Sequence, residues 1–237
     1  MRYSKLHGWP ADRSQAYAMQ AELMSRVVLT NNTEPPRRVA ACDTAYGING
    51  ELLYAAAVVM SFPDLEEIER SYFVAKVEFP YIPGLRYFRE GPAVTGALLK
   101  LESDPDVIML NGHGIAHPKR CGLASHIGIA FDLPSIGCAR QLLVGKHYPV
   151  GQKSGNLQSI RLYGQDVGYA YRSKDNVKPI FISPGYKCDL DYARELVVKC
   201  LRGFRLPEPL RLAHRLANRS RQHAEREQSG PEPPESI

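Results

Sequence analysis

Arg37-Arg38-Val39-Ala40-Ala41-Cys42-Asp43-Thr44-Ala45-Tyr46-Gly47 is the stretch on which the fold turns. It is a β-rich run and reads as a strand in the middle of a sheet. One aspartate sits inside it, where an unpaired charge is expensive. Asn49-Gly50 follows, a strong hairpin signal. The returning strand runs from Leu52 to Phe62, and after Pro63-Asp64 a third strand is expected from about Ile68 to Phe79. Three successive strands with tight connections make an antiparallel meander.

Working outward, Ala16, Met19, Leu23 and Val27 recur at helical spacing and predict a helix over residues 11–30, ended by the loop before Pro35-Pro36. After the meander a helix is expected from about Arg89 to Leu101, with Val94, Leu98 and Leu101 on one face. Asp106 to Gly112 is a short strand, apolar on both faces as a buried parallel strand would be. A helix from Gly122 to Ala130 leads to a strand at Ser135 to Ala139. A hairpin covers Asp166 to Ser173 and Lys178 to Gly185, and helices at Asp191 to Arg202 and Pro209 to Arg221 close the fold. A meander followed by β-α-β-α-β is the order of an RNase H-like α/β fold. That fold has a mixed central sheet, a three-stranded antiparallel meander plus parallel strands, flanked by helices. Other α/β folds share pieces of this order.

The chain has 237 residues, enough for one large domain over 1–221. Residues 222–237 are polar, contain Pro231, Pro233 and Pro234, and are expected to be a disordered tail. Hydrophobic residues at 44% and charged residues at 23% exclude a disordered chain, a collagen-like fibre and a disulfide scaffold. No apolar run reaches the roughly 18 residues of a membrane span, and the N-terminus has no apolar leader core. The net charge of +5 permits a polyanionic partner without demanding one. Arg202, Arg205, Arg211, Arg215, Arg219 and Arg221 face one acid, Glu208, either as a basic helix beside nucleic acid or as a solvated helix face. Cys42, Cys121, Cys138, Cys188 and Cys200 are odd in number and lack C-x-x-C spacing. They read as core residues in a reducing cytoplasm, so the chain is expected to be cytoplasmic. No heptad or exposed apolar stripe stands out, so a monomer is expected.

Carboxylates inside apolar strands are candidate ligands for hard divalent ions. Asp43 is the clearest, as a metal ligand or as a partner of a buried arginine or a turn. Glu90 opens the helix after the meander, as a ligand or as a first-turn acid. Asp104 and Asp106 flank Pro105 in a turn, and Asp132 ends a helix. The third carboxylate of such a site belongs at the end of the Asp106–Gly112 strand, beside Asp43. There the sequence has Asn111. A neutral carbonyl is a poor substitute between two divalent ions about 4 Å apart. Asp106 lies at an odd offset and points to the opposite face.

These residues, with the motifs around them, resemble the endonuclease V family. The resemblance is carried by Pro80-Tyr81-Ile82-Pro83-Gly84, Phe88-Arg89-Glu90 and Asn111-Gly112-His113-Gly114-Ile115-Ala116-His117-Pro118. Gly122-Leu123-Ala124-Ser125-His126, Ile136-Gly137, Phe181-Ile182-Ser183-Pro184-Gly185 and Leu206-Pro207-Glu208-Pro209 complete it, over roughly residues 12–217. It implies a DNA repair endonuclease that recognises deaminated adenine (inosine) in DNA. Such an enzyme uses Mg²⁺, with Mn²⁺ as a substitute, and cuts the second phosphodiester bond 3′ to the lesion, leaving the base in place. It implies that Asp43 and Glu90 are catalytic, with Asp43 as first metal ligand, and that His214 supports the metal site. Asn111 departs from the family's aspartate, which binds metal, and is expected to weaken or abolish cleavage. Arg140 stands where the family usually has lysine near the scissile phosphate.

The motif loops make physical sense in those terms. Tyr81, held between Pro80 and Ile82-Pro83, can wedge into a base stack; the alternative is a surface tyrosine packing on the next helix. Gly84 and Leu85 are expected to wall the pocket for a flipped base, and Gly112, Gly114 and Gly122 to let backbone approach it, or simply to form tight turns. His113, His117 and His126 are assigned to pocket packing and phosphate contact, with loop hydrogen bonds as the alternative. Lys119 and Arg120 are phosphate contacts or solvated charges. Three readings follow: a working inosine nuclease in which Asn111 still donates a carbonyl to one ion and Asp43, Glu90 and His214 hold the rest, an inosine-binding protein with impaired catalysis, and a scaffold using its basic C-terminal helix. An inosine-specific ribonuclease is a further alternative.

Overall fold

The computed structural model describes residues 1–30 and 34–229. Strands β1 (Arg38–Tyr46), β2 (Leu52–Ser61) and β3 (Glu67–Lys76) form the expected meander, all antiparallel. Helix α1 (Arg13–Met24) precedes it and α2 (Arg86–Leu99) follows. Then come β4 (Val107–Leu110), α3 (Leu123–Phe131), β5 (Ser135–Ala139), β6 (Leu157–Leu162), β7 (Gln165–Tyr171), β8 (Ile180–Tyr186), α4 (Leu190–Lys199) and α5 (Glu208–Ser229). The strands form one sheet in the order β3-β2-β1-β4-β5-β8-β7-β6. The β1–β4 and β4–β5 pairings are parallel, and the other strand pairings are antiparallel.

Strand parity assigns the two faces. Val39, Ala41, Met109 and Ile136 point into a core closed by α4 and α5. Ala40, Cys42, Ile108 and Leu110 point into a core closed by α2 and α3. Cys42 pairs with Leu110, so Asp43, inside β1, and Asn111, just past the end of β4, come next in register on adjacent parallel strands.

Several boundaries differ from expectation. Helix α1 begins where Asp12 Oδ1 caps the Gln15 N–H at 2.9 Å. It ends at Met24, because the chain beyond it leaves to bond the end of β8, through Val28 O and Lys187 N–H. Its buried face is Ala16, Gln20 and Leu23, with a glutamine where the apolar spacing pointed to Met19. Helix α2 starts at Arg86, so Glu90 lies in its second turn. The third strand ends at Lys76, short of Phe79. Strand β6 was not expected; among its six residues only Ile160 and Leu162 are buried.

Helix α5 buries Leu210, Leu212, Ala213, Leu216 and Ala217, an i, i+3, i+4 pattern. It then continues to Ser229, so residues 222–229 of the expected tail are helical, and 230–237 lie outside the described residues. An Arg221–Glu225 pair at 3.0 Å and a bond from Ile48 N–H to Glu225 Oε1 at 2.9 Å hold the extension against the β1–β2 turn. The expected basic surface shrinks. Arg202 and Arg205 lie before α5 and donate to backbone carbonyls, while Arg211 and Arg221 pair with Glu208 and Glu225. Arg215 and Arg219 remain exposed. The exposed positions of edge strand β3 include Ile68, Tyr72 and Val74, an apolar stripe the sequence reading did not find, interleaved with Arg70 and Lys76. Among the described residues no helix is long and apolar enough to cross a membrane.

Candidate active site

Asp43 is buried, and its carboxylate accepts from three groups. Thr44 N–H and Asn111 Nδ2 reach Oδ1 at 2.8 and 2.9 Å, and His214 Nδ1 lies 2.8 Å from Oδ2. An ionised carboxylate only accepts, so Asn111 turns its NH₂ to it and His214 presents Nδ1–H. Asn218 Nδ2, one turn further along α5, bonds the His214 carbonyl at 2.9 Å.

Glu90 approaches from the α2 side and is also fully engaged. Arg86 Nε donates to Oε1 at 2.6 Å, Tyr46 OH to Oε1 at 3.1 Å and Thr44 Oγ to Oε2 at 2.8 Å. Arg89 Nε in turn donates to the Tyr46 oxygen at 3.0 Å and fixes that ring. Burial, with the charge of Glu90 behind it, pushes the Tyr46 phenol up to about 12. Arg86 also donates from Nη1 to the Asn111 carbonyl at 2.7 Å. Burial works against its charge, but the Glu90 carboxylate beside it outweighs that and holds the guanidinium above its ordinary value.

Beside these groups lies a cavity of about 430 Å³, within the range of small-molecule sites. Tyr81, Ile82, Pro83 and Gly84 line one side; Asn111, His113, His117 and Gly122 line another; Glu90 and Arg140 also reach it. Tyr81 is 71% exposed at the tip of its loop. Gly84 has φ +84°, a conformation that L side chains rarely adopt. Its carbonyl accepts from both Gln20 Nε2 and His117 Nε2 at 2.8 Å. Since a carbonyl only accepts, His117 carries its proton on Nε2, and its Nδ1 accepts from Lys119 N–H at 3.1 Å. Burial lowers His117 and His113 to about 4, which keeps both rings neutral.

Other expected pocket residues do not line the cavity. His126 is fully buried and stacks on Tyr87 at 4.0 Å, in an aromatic cluster with His7 and Phe88. Leu85 is a core residue. Gly114 is glycine because an added Cβ would stand 1.9 Å from the Pro184 carbonyl oxygen, and its N–H is spent on Ser183 Oγ. Pro80 and Gly112 flank the cavity in sequence without lining it. Arg120 is tied to Gln165 Oε1 at 2.6 Å, and Lys119 is exposed. Asp106 takes the Arg37 and Arg38 N–H groups, and Asp132 caps α3 and pairs with Lys187 at 2.7 Å.

The sequence reading missed Gln20, Arg86, Tyr87, Gln141, Leu142 and Leu143, all of which line the cavity, and Thr44 and Tyr46, which hold Glu90. A signal existed for some. Arg86 precedes Glu90 by four residues on a helix, and Thr44 and Tyr46 alternate with Asp43 on a strand.

A mixed sheet of this order, with acidic groups brought together from β1 and the second turn of α2, belongs with the RNase H-like α/β nucleases. Comparison with known proteins narrows that class. The family model for endonuclease V matches residues 21–215. A Gloeobacter violaceus endonuclease V is 42% identical over 90% of this chain and 88% of its own length. The crystal structure of a Streptomyces avermitilis endonuclease V aligns with a TM-score of 0.87 and 38% identity, over 92% of this chain and 97% of the other. An endonuclease V from Ciona intestinalis, solved with a 24mer DNA containing an inosine followed by a ribo-adenosine, aligns with a TM-score of 0.79 and 26% identity, over 89% of this chain and 98% of its own. The chain belongs to the endonuclease V family.

The family is generally metal-dependent. The donors present do not fit a two-ion centre. Asn111 brings no charge and turns its amide nitrogen, not its oxygen, to Asp43. Both Glu90 oxygens are bonded by Arg86, Tyr46 and Thr44. Among the described residues no three of His, Cys, Asp or Glu are arranged to hold an ion.

Proposed function

We propose that this chain recognises deaminated adenine in DNA, as a repair endonuclease whose cut is the second phosphodiester bond 3′ to the inosine, and that Asn111 weakens or abolishes that cut. The cavity beside the Tyr81 loop is the observation that carries the reading. It is walled by Pro83, Gly84, His117 and Gly122, and an exposed tyrosine stands at its rim. A base turned out of the helix enters this cavity, and Tyr81 fills the gap it leaves. Gln20 and His117 hold the Gly84 carbonyl, so the wall is set before the base arrives. Arg140, exposed at the cavity rim, is the phosphate contact. Asp43, Glu90 and His214 form the catalytic group of this reading; Mg²⁺, or Mn²⁺ as substitute, would be the ion held there with an aspartate at position 111. The inosine DNA in the Ciona complex supports the substrate class. The ribo-adenosine in the same complex keeps inosine-containing RNA as the second reading. Five free, buried cysteines suit the reducing cytoplasm assumed here.

The test uses labelled duplex DNA with one inosine, Mg²⁺ or Mn²⁺, and the chain alongside Asn111→Asp. Binding is followed by gel shift and nicking on denaturing gels. The expected result is inosine-selective binding by both and nicking by the aspartate variant, about 10²-fold or more above the unaltered chain, equivalent to about 2.7 kcal/mol. Nicking by the unaltered chain at a comparable rate would overturn the account of Asn111. Equal binding to inosine and adenine duplexes would overturn the substrate.

A further inference from the structure

Arg86 is a cation set among the site's acids, and the reading above gives it no task. Its Nε and one Nη1 proton are spent on Glu90 Oε1 and the Asn111 carbonyl. A guanidinium carries five N–H donors and no acceptor. The second Nη1 proton and both Nη2 protons have no protein partner among the described residues, and Arg86 lines the cavity with 37% of its side chain exposed.

The charge of the site argues against two divalent ions, and the geometry of these donors says what they suit. Two carboxylates, Asp43 and Glu90, and one guanidinium leave the site with a single net negative charge, because Asn111 is neutral. That is too little to hold two divalent ions, and the guanidinium already neutralises the carboxylate nearest to it. The fork of an arginine matches two oxygens of a phosphate. Bonds to Glu90 and to the Asn111 carbonyl fix the guanidinium at two points, so little freedom is left to lose when an anion binds.

We propose that Arg86 is a phosphate subsite of the cavity, holding a backbone phosphate of the bound nucleic acid where the family relies on a divalent ion. This rests on the reading that the cavity takes an inosine-containing strand. It follows that binding by this chain is independent of metal, and that the aspartate at 111 alone restores the metal site only in part, because Glu90 is still paired with Arg86.

Three measurements test this on the full chain. Anisotropy with labelled inosine duplex, in EDTA and in Mg²⁺, is followed across a salt series for the unaltered chain, Arg86→Met and Arg86→Lys. The unaltered chain is expected to bind equally in both buffers. Arg86→Met is expected to weaken binding by about tenfold or more and to lower the salt slope by about 0.9, the value for one phosphate. Arg86→Lys is expected to keep the slope and lose part of the affinity, and circular dichroism melting confirms that each variant is folded. Calorimetry with Mn²⁺ alone is expected to give no binding to the unaltered chain, and binding to Asn111→Asp/Arg86→Met about tenfold or more tighter than to Asn111→Asp. An unchanged salt slope in folded Arg86→Met overturns the proposal, as does one Mn²⁺ bound per unaltered chain. The adenine duplex separates the two ideas. If inosine and adenine duplexes bind alike while the slope still falls, the phosphate subsite stands and the inosine reading fails. If inosine preference persists while the slope does not move, the reverse holds.

Discussion

Asn111 turns an NH₂ toward Asp43 Oδ1 at 2.9 Å, so the carboxylate is satisfied by a neutral neighbour. An aspartate there replaces this bond with like-charge repulsion. In EDTA, Asn111→Asp is expected to lower stability by about 1.5–3 kcal/mol, the worth of a hydrogen bond to a charged group. Mn²⁺ is expected to recover that loss in the variant and to leave the melting temperature of the unaltered chain unchanged. Equal melting temperatures in EDTA would mean that the Asn111–Asp43 contact contributes nothing. Tyr81 differs in kind. At 71% exposure its ring supports no core, so Tyr81→Ala is expected to change stability by less than about 0.5 kcal/mol while weakening inosine binding. Thermal melts and gel shifts on the same sample check both halves.

Elements carry the next set of consequences. The 111–122 loop passes so close to β8 that Gly114→Ala puts a Cβ 1.9 Å from the Pro184 oxygen. Relief requires backbone movement, and a loss of about 3 kcal/mol or more is expected in denaturant unfolding. Helix α5 is the opposite case. Its apolar face ends at Ala217, so truncation after Arg221 removes a half-buried ion pair and the Glu225 contact to the Ile48 N–H. A cost of about 1 kcal/mol or less is expected, with Asp43–His214 geometry intact. What could be read from the sequence follows the same divide. Strand parity and register were legible, which is why Asn111 lies beside Asp43 as expected. Strand β6 was not, because a half-exposed edge strand carries almost no apolar pattern. The reach of α5 was not either, since nothing apolar marks it beyond the core. Within the site, Asp43 stood out as an acid inside an apolar strand, while Glu90, an acid opening a helix, was marked by the Phe88-Arg89-Glu90 motif. Gln20 did not, because a polar residue on the inward face of a helix looks like an error in the pattern until its partners, the Gly84 and Cys121 carbonyls, are seen.

At the scale of the whole molecule, buried histidines set the acid limit. Burial first of all lowers His113 and His117 to about 4 and His126 to about 3, from an ordinary 6.5. The unfolded chain takes up these protons near 6.5, while the folded chain resists until those lower values. Between them the unfolded state binds more protons, so stability is complete above 6.5 and falls as pH drops. Each histidine contributes a slope of up to about 1.4 kcal/mol per pH unit in that window. The melting temperature is expected to be level above pH 7 and to fall steeply from 6.5 toward 4; a flat profile down to pH 5 would contradict the neutral, buried assignment. The Gly84 carbonyl has a consequence for modularity. One oxygen atom is shared by donors from α1 and from the loop after β4, so three stretches distant in sequence agree on the position of a single peptide. Residues 80–85 are therefore not a portable cassette. Transplanted alone into a related scaffold, they carry their letters but not their shape, and a functional chimaera must bring positions 20 and 117 with them.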